Sequence, residues 1–267
     1  MISAYVPQRA FVGTSALLFA ASTAATIVWC DSMSDGRMSA MHDMPMPGGW
    51  TMSMMWMPMR GQSWPDTAAV FLGMWSVMMI AMMLPSLLPV LWRYRLGVAG
   101  MRGGRLGVLT VLVGSGYFAV WTLFGMIAFV VGVAVTMLEM QSSLLASTVP
   151  AAIGAIVLIA GALQFSAWKA HHLACCRGSS CCHALRADVR TAWQHGLRLG
   201  MHCVHSCFGL TLALLVVGMM DLRAMAVVTA AISVERLAPG GARAARVIGV
   251  VVMAAGAVLV LRAACGT

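Results

Sequence analysis

Charge is scarce in this sequence. Asp, Glu, Lys and Arg make up 9% of its 267 residues, where a soluble domain carries about 25%. Acids are the rarer kind, 8 against 17 Lys and Arg. With 61% hydrophobic residues and a mean hydropathy of +0.88, the chain cannot cover a water-facing surface, so its solvent is lipid. Several motifs are also missing. There is no Walker loop, no G-x-G-x-x-G opening a helix after a strand, and no H-E-x-x-H. ATP-driven pumping by this chain alone is thereby excluded. The net charge of +9 does not point to nucleic acid. The basic residues sit between apolar runs, where they orient a membrane protein.

The apolar runs set the architecture. A spanning helix needs about 20 apolar residues. Stretches 11–29, 67–92, 106–135, 149–168, 199–220, 224–234 and 246–261 approach this. The expectation is an all-α polytopic transmembrane bundle of about seven spans, forming one membrane domain over 1–267. The last two stretches could be shallow, so six spans is the alternative. The first reads as a span and not a cleaved signal peptide, because one Arg precedes it and no clear A-x-A site ends it. Pro85 and Pro89 should kink or partly unwind the second. With seven spans and the N-terminus inside, only Arg37, Arg60, Arg223 and Arg262 of the 17 basic residues fall outside. That bias supports N-in, C-out. It places segment 30–66 outside the cytoplasm and segment 169–198 within it. A bacterial inner membrane is the expected location.

Four clusters could carry chemistry. Segment 30–66 holds Met33, Met38, Met41, Met44, Met46, Met52, Met54, Met55, Met57 and Met59, with His42 among them. Thioether sulfur is soft and neutral, and suits Cu(I) or Ag(I) better than Zn(II) or Mg(II). It needs no deprotonation and forms no disulfide, so it works in an oxidising compartment. The bland alternative is apolar padding at the membrane surface, with Trp50, Trp56 and Trp64 as interface residues. In the second span, Met74, Met78 and Met82 are four apart and stack on one helix face, with Met79 and Met83 as an adjacent row. Such a stripe is either packing or a relay of thioethers.

The fifth span opens on His202, Cys203, His205, Ser206 and Cys207. Cys203 and Cys207 face one way, while His202 and Ser206 lie about 100° round the helix. Ionisable side chains inside a membrane helix are costly and are functional by default. The last cluster lies in segment 169–198: His171, His172, Cys175, Cys176, Cys181, Cys182 and His183. Its C-C pairs do not match the C-x-x-C of a zinc ribbon. A Cu(I) acceptor, a zinc site and a redox dithiol all remain open for it. Glu235-Arg236 reads as a self-satisfying pair at the interface, and proton coupling through Glu235 is the alternative. Asp66 is placed to cap the second span, and His195 receives no role.

Taken in order, four segments carry a family resemblance. They are M-M-I-A-M-M-L-P-S at 78–86, Lys169-x-x-His172-Leu173-x-x-Cys176, G-L-R-L-G-M-H-C-V-H-S-C at 196–207, and Val234-Glu235-Arg236-Leu237-x-Pro239-Gly240. Together they resemble a bacterial family of predicted metal-binding integral membrane proteins, a domain of unknown function sometimes labelled copper-chaperone-like. The resemblance covers roughly residues 65–262. It implies a helical membrane fold and a bound metal, with copper foremost. Cys176, Cys203 and Cys207 match its pattern. His172 and Ser206 stand where that pattern has cysteines, which shifts the softness of the site.

These readings converge on a copper(I)-handling membrane protein, a carrier more than an enzyme. Its metal ligands are expected among the four clusters, with zinc as an alternative at the cytoplasmic one. Its partners are the lipid bilayer and a membrane or periplasmic copper protein. Two other classes compete. One is a quinone-linked thiol–disulfide oxidoreductase, which needs an extracytoplasmic cysteine pair. Cys30 and Cys265 alone fall on that side, and they are far apart in sequence. The other is an accessory subunit of a larger membrane complex.

Overall fold

In the computed structural model the described residues are mostly helical, with one pair of three-residue strands among them. The structure describes residues 5–34, 43–45, 51–53, 56, 58, 62–98, 103–177, 188–219 and 221–265. In chain order the helices are α1 (Tyr5–Ser34), α2 (Trp64–Gly97), α3 (Gly103–Gln141), α4 (Ser143–Leu163), α5 (Ala167–Arg177), α6 (Val189–Val217), α7 (Leu222–Leu237) and α8 (Gly241–Cys265). Strands β1 (Asp43–Pro45) and β2 (Thr51–Ser53) pair antiparallel between α1 and α2, with Asp43 opposite Ser53.

Five helices, α1, α2, α3, α6 and α8, are long and apolar enough to cross a membrane. A sixth crossing is available if α4 and α5, bent by 64° at their junction, count as one span. The expectation of about seven is therefore slightly high. The difference is α7, whose 16 residues reach about 24 Å, short of a hydrocarbon core of ~30 Å. The expected N-in, C-out arrangement depends on α7 crossing. The outward faces are those of a membrane protein. Leu17, Val28, Val111, Val227 and Val247 are all more than 60% exposed, a surface for acyl chains and not for water.

Local chemistry sets the helix ends. Ser63 caps α2, accepting from Asp66 N–H, while the Asp66 carboxylate accepts from Ser63 N–H at 3.2 Å. Asp66 is thus the third residue of a reciprocal capping box and not the cap itself. The helix then runs unbroken through Pro85 and Pro89, against the expectation of local unwinding. In lipid an unwound backbone has no water to bond, so the helix persists past a missing N–H. Gly218, at φ 134°, ends α6 in a conformation that favours glycine. Asp221 then caps α7 by accepting from Arg223 N–H at 2.8 Å. The basic segment expected as a loop over 169–198 is largely helical. Residues 169–177 belong to α5 and 189–198 to α6.

Close helix contacts run through small residues. Gly116, Gly196 and Gly200 let α3 and α6 touch backbone to backbone. Gly154, Gly161 and Gly256 do the same for α4 and α8, and Gly249 leaves room for the Gln164 and Phe165 side chains just past α4. Lipid tails are as apolar as Leu, so helices in a bilayer associate by such packing and not by burial from water. Trp75 and Trp121 fill the gap between α2 and α3, at 0% and 1% exposure. Trp75 Nε1–H donates to Trp121 O at 2.9 Å, so its polar atom is satisfied inside the bundle.

The packing predicts a contrast between two glycines. A Cβ on Gly196 would stand 2.3 Å from Val113 O, a backbone atom. Gly196→Ala should therefore cost about 1–3 kcal/mol. Gly114 has nothing within 4 Å of a built Cβ, so Gly114→Ala should be neutral or gain up to about 1 kcal/mol in helix propensity. Thermal unfolding in detergent compares them.

Candidate metal centre

Helix α6 presents two faces to two sets of neighbours. Its Cys203 faces α2 and α3, and Cys203 and Cys207 are 0% and 1% exposed. Tyr117 Oη of α3 lies 2.8 Å from Cys203 Sγ, and Met83 Sδ of α2 accepts from that thiol at 4.0 Å. The Met rows of α2 lead to this point. Met74, Met78, Met79, Met82 and Met83 are all buried, so every one faces protein.

The other face of α6 meets α5. The bend after Leu163 folds α5 against it, and the four-residue spacing of His172 and Cys176 keeps both on the contact side. Cys176 Sγ is 3.9 Å from Ser206 Oγ, which is 3.7 Å from Cys207 Sγ. The Ser206 hydroxyl thus stands between two thiols. His172 Nδ1 is 3.0 Å from His202 Nδ1, so one ring nitrogen donates and the other accepts. The His172 and His205 rings stack at 4.8 Å. Trp168 abuts both, at 5.1 and 5.3 Å. His171 and Cys175 approach each other at 3.8 Å further along α5. A sulfur group and an imidazole group therefore sit side by side.

Charged groups that sequence reasoning assigned elsewhere complete the site. Arg236 of α7 donates from Nη2 to Ser206 Oγ at 3.0 Å and to Cys176 Sγ at 3.6 Å, and from Nη1 to Ser86 Oγ at 3.4 Å. Glu235 pairs with Lys169 Nζ of α5 at 2.8 Å, with both side chains at most 5% exposed. Lys169 also donates to Gln164 Oε1 at the bend. Glu235-Arg236 is therefore not a self-contained interface pair. The two residues reach into the bundle in separate directions, one to the ammonium and one to the thiols. Tyr117 is the residue that sequence reasoning passed over, while Arg236 and Lys169 were named there without a place at this site. Ionisable groups within apolar runs were the available signal.

The remaining sequence candidates divide in two. Met41, His42, Met46, Cys181, Cys182 and His183 lie outside the described residues, and Met44 is described only as part of the β1 backbone. His195 is buried against Tyr94, ring centroids 5.6 Å apart, which gives it a packing role. Among the described residues no three His, Cys, Asp or Glu side chains stand where they could hold one ion. Met83 contributes a donor that such a grouping leaves out.

A family model described as PpoB2, copper chaperone, matches residues 72–259. The chain belongs to this copper chaperone family. Membership points to a copper-related role, and the match takes in α5, α6, α7 and α2 from Leu72 onward. Cys176, Cys203, Cys207, Met83 and Arg236 all fall within the match, while segment 30–66 lies outside it. No curated protein and no solved structure matches the chain significantly.

The buried ion pair carries a prediction about this family member. Lys169→Met removes the cation and leaves the Glu235 carboxylate in the bundle, which should cost about 3–5 kcal/mol. Adding Glu235→Gln should recover most of that loss. Unfolding curves of the two variants in detergent measure the difference.

Proposed function

We propose that this chain binds Cu(I) as cargo and passes it between the Met-rich side and the Cys/His side of a bacterial inner membrane. The observation that carries the reading is the meeting of the α2 thioether rows with the α6 thiols, Met83 Sδ to Cys203 Sγ at 4.0 Å. Thioethers bind Cu(I) without losing a proton, so a row of them passes the ion on with no proton transfer. Cys176, Cys203 and Cys207 supply harder-held, anionic sulfur at its end. The Arg236 guanidinium beside them supplies fixed positive charge, which offsets a thiolate-rich complex. His171, His172, His202 and His205 then offer nitrogen, which competes less well for a soft ion and favours onward release. Met41, His42, Met44 and Met46 are the proposed capture residues. Cys181, Cys182 and His183 join Cys175 as the proposed acceptors, and zinc is the competing metal there. The receiver is a copper protein in or next to the membrane.

A thiol–disulfide role fits less well. Cys176, Cys203 and Cys207 are buried at 7% exposure or less, where a protein disulfide could not reach them.

The test is elemental analysis of the detergent-purified protein, followed by Cu(I) titration against a competing chelator. Cys203→Ser with Cys207→Ser should weaken the tight equivalent by more than about 100-fold, beyond the loss of an outer-shell partner. Met83→Leu should leave capacity intact and slow loading of that equivalent. Unchanged affinity in the double serine variant, or zinc in place of copper, would sink the reading.

A further inference from the structure

A second sulfur cluster lies apart from the Cys203 group, at the far end of the α2 Met rows. Met74 and Met78 line a small cavity together with Cys30 of α1, Met219 just beyond α6 and Met225 of α7. All five are at most 7% exposed. They come from four segments of the chain and converge on one space. That space has room for about one water-sized body. A buried water needs two to four hydrogen-bonding partners. The one hydroxyl on this wall, Thr26, is turned to its own helix, donating to Ser22 O at 2.8 Å. The composition of the wall is also unusual. With 25 Met and 8 Cys in 267 residues, about one sulfur is expected among eight lining residues, and five are present.

We propose that this cavity is a separate binding site for a soft monovalent cation, Cu(I) or Ag(I), held by Cys30 and the four thioethers. The proposal rests on the copper reading above and adds a station to it. A Cys30 thiolate with a monovalent cation is neutral overall, so the complex escapes the charge penalty of a membrane interior. Its proton leaves to solvent as the S–metal bond forms. Cys30 also begins the Met-rich segment 30–66, so the cavity receives what that segment collects. From there Met78, Met79, Met82 and Met83 lead along α2 to Cys203. Cys30 lies outside the residues matched by the family model, while Met74, Met78, Met219 and Met225 lie within them.

The experiment titrates the full-length purified protein with Cu(I), and in parallel with Ag(I), in two backgrounds. One is the wild type and the other is Cys203→Ser with Cys207→Ser. Into each goes Cys30→Ser with Met219→Leu and Met225→Leu. Met→Leu nearly conserves volume and removes only the sulfur, so the fold is retained. A chain with Met219→Leu and Met225→Leu alone guards against any effect of the serine. The expected result is the loss of one equivalent in both backgrounds, with at least a tenfold drop in affinity at that equivalent for the Met pair alone. Unchanged stoichiometry and affinity, or a loss in only one background, overturns the separate site and leaves the Cys203 reading intact. A wild type that binds neither ion overturns both.

Discussion

A guanidinium inside a lipid-solvated bundle is the constraint around which this structure is organised. Arg236 cannot shed its charge, and the membrane offers it no water. It must therefore be surrounded by acceptors drawn from the protein, and they come from three helices: Ser86 on α2, Ser206 on α6 and Cys176 on α5. Those bonds fix where α7 ends, how α5 lies on α6, and which faces of α6 are committed. Lys169 and Glu235 repeat the logic one step away, tying α5 to α7 by a pair that neither residue could leave without stranding the other. The cluster of polar side chains is thus mutually required. Removing any one exposes the cost of the rest.

That constraint also gives the site its chemical gradient. Around Arg236 the donors are sulfur, and on the adjoining face of the α5–α6 contact they are imidazole. The change from soft to borderline donors happens within one helix contact, across the four-residue step from His172 to Cys176. Ser206 sits at the boundary, a hydroxyl between thiols.

Much of the fold was readable from the sequence, because lipid enforces simple rules. Long apolar runs became helices: five of the seven expected stretches lie wholly within one, while 149–168 is interrupted at 164–166 and 199–220 runs past the end of α6 at Val217. The M-x-x-x-M spacing correctly marked a buried face of α2, and the i, i+4 pairs on α6 did separate into two faces. What escaped notice were long-range partnerships. Nothing in the local pattern says that Arg236 turns toward Cys176, 60 positions away, or that Tyr117 reaches Cys203. The bend that brings α5 back against α6 has no strong signal either. Gln164, Phe165 and Ser166 are not helix breakers, and the run 149–168 reads as one continuous span. Helix α7 was overcounted because hydropathy measures composition and not reach. The sulfur-lined cavity at Cys30 was missed for a related reason. Its members are scattered along the chain from α1 to α7.

The bend between α4 and α5 has one further consequence. Helix α4 is locked to α8 by interleaved glycines, so it behaves as a fixed post. Helix α5 is an 11-residue rod hung from that post by three residues. His172 and Cys176 are both mounted on that rod. A helix of that length is stiff, so His172 and Cys176 hold one fixed offset along it, and neither can be set against α6 without setting the other. The Lys169–Glu235 pair ties the first turn of the same rod to α7. One bend angle therefore places an imidazole and a thiol at once.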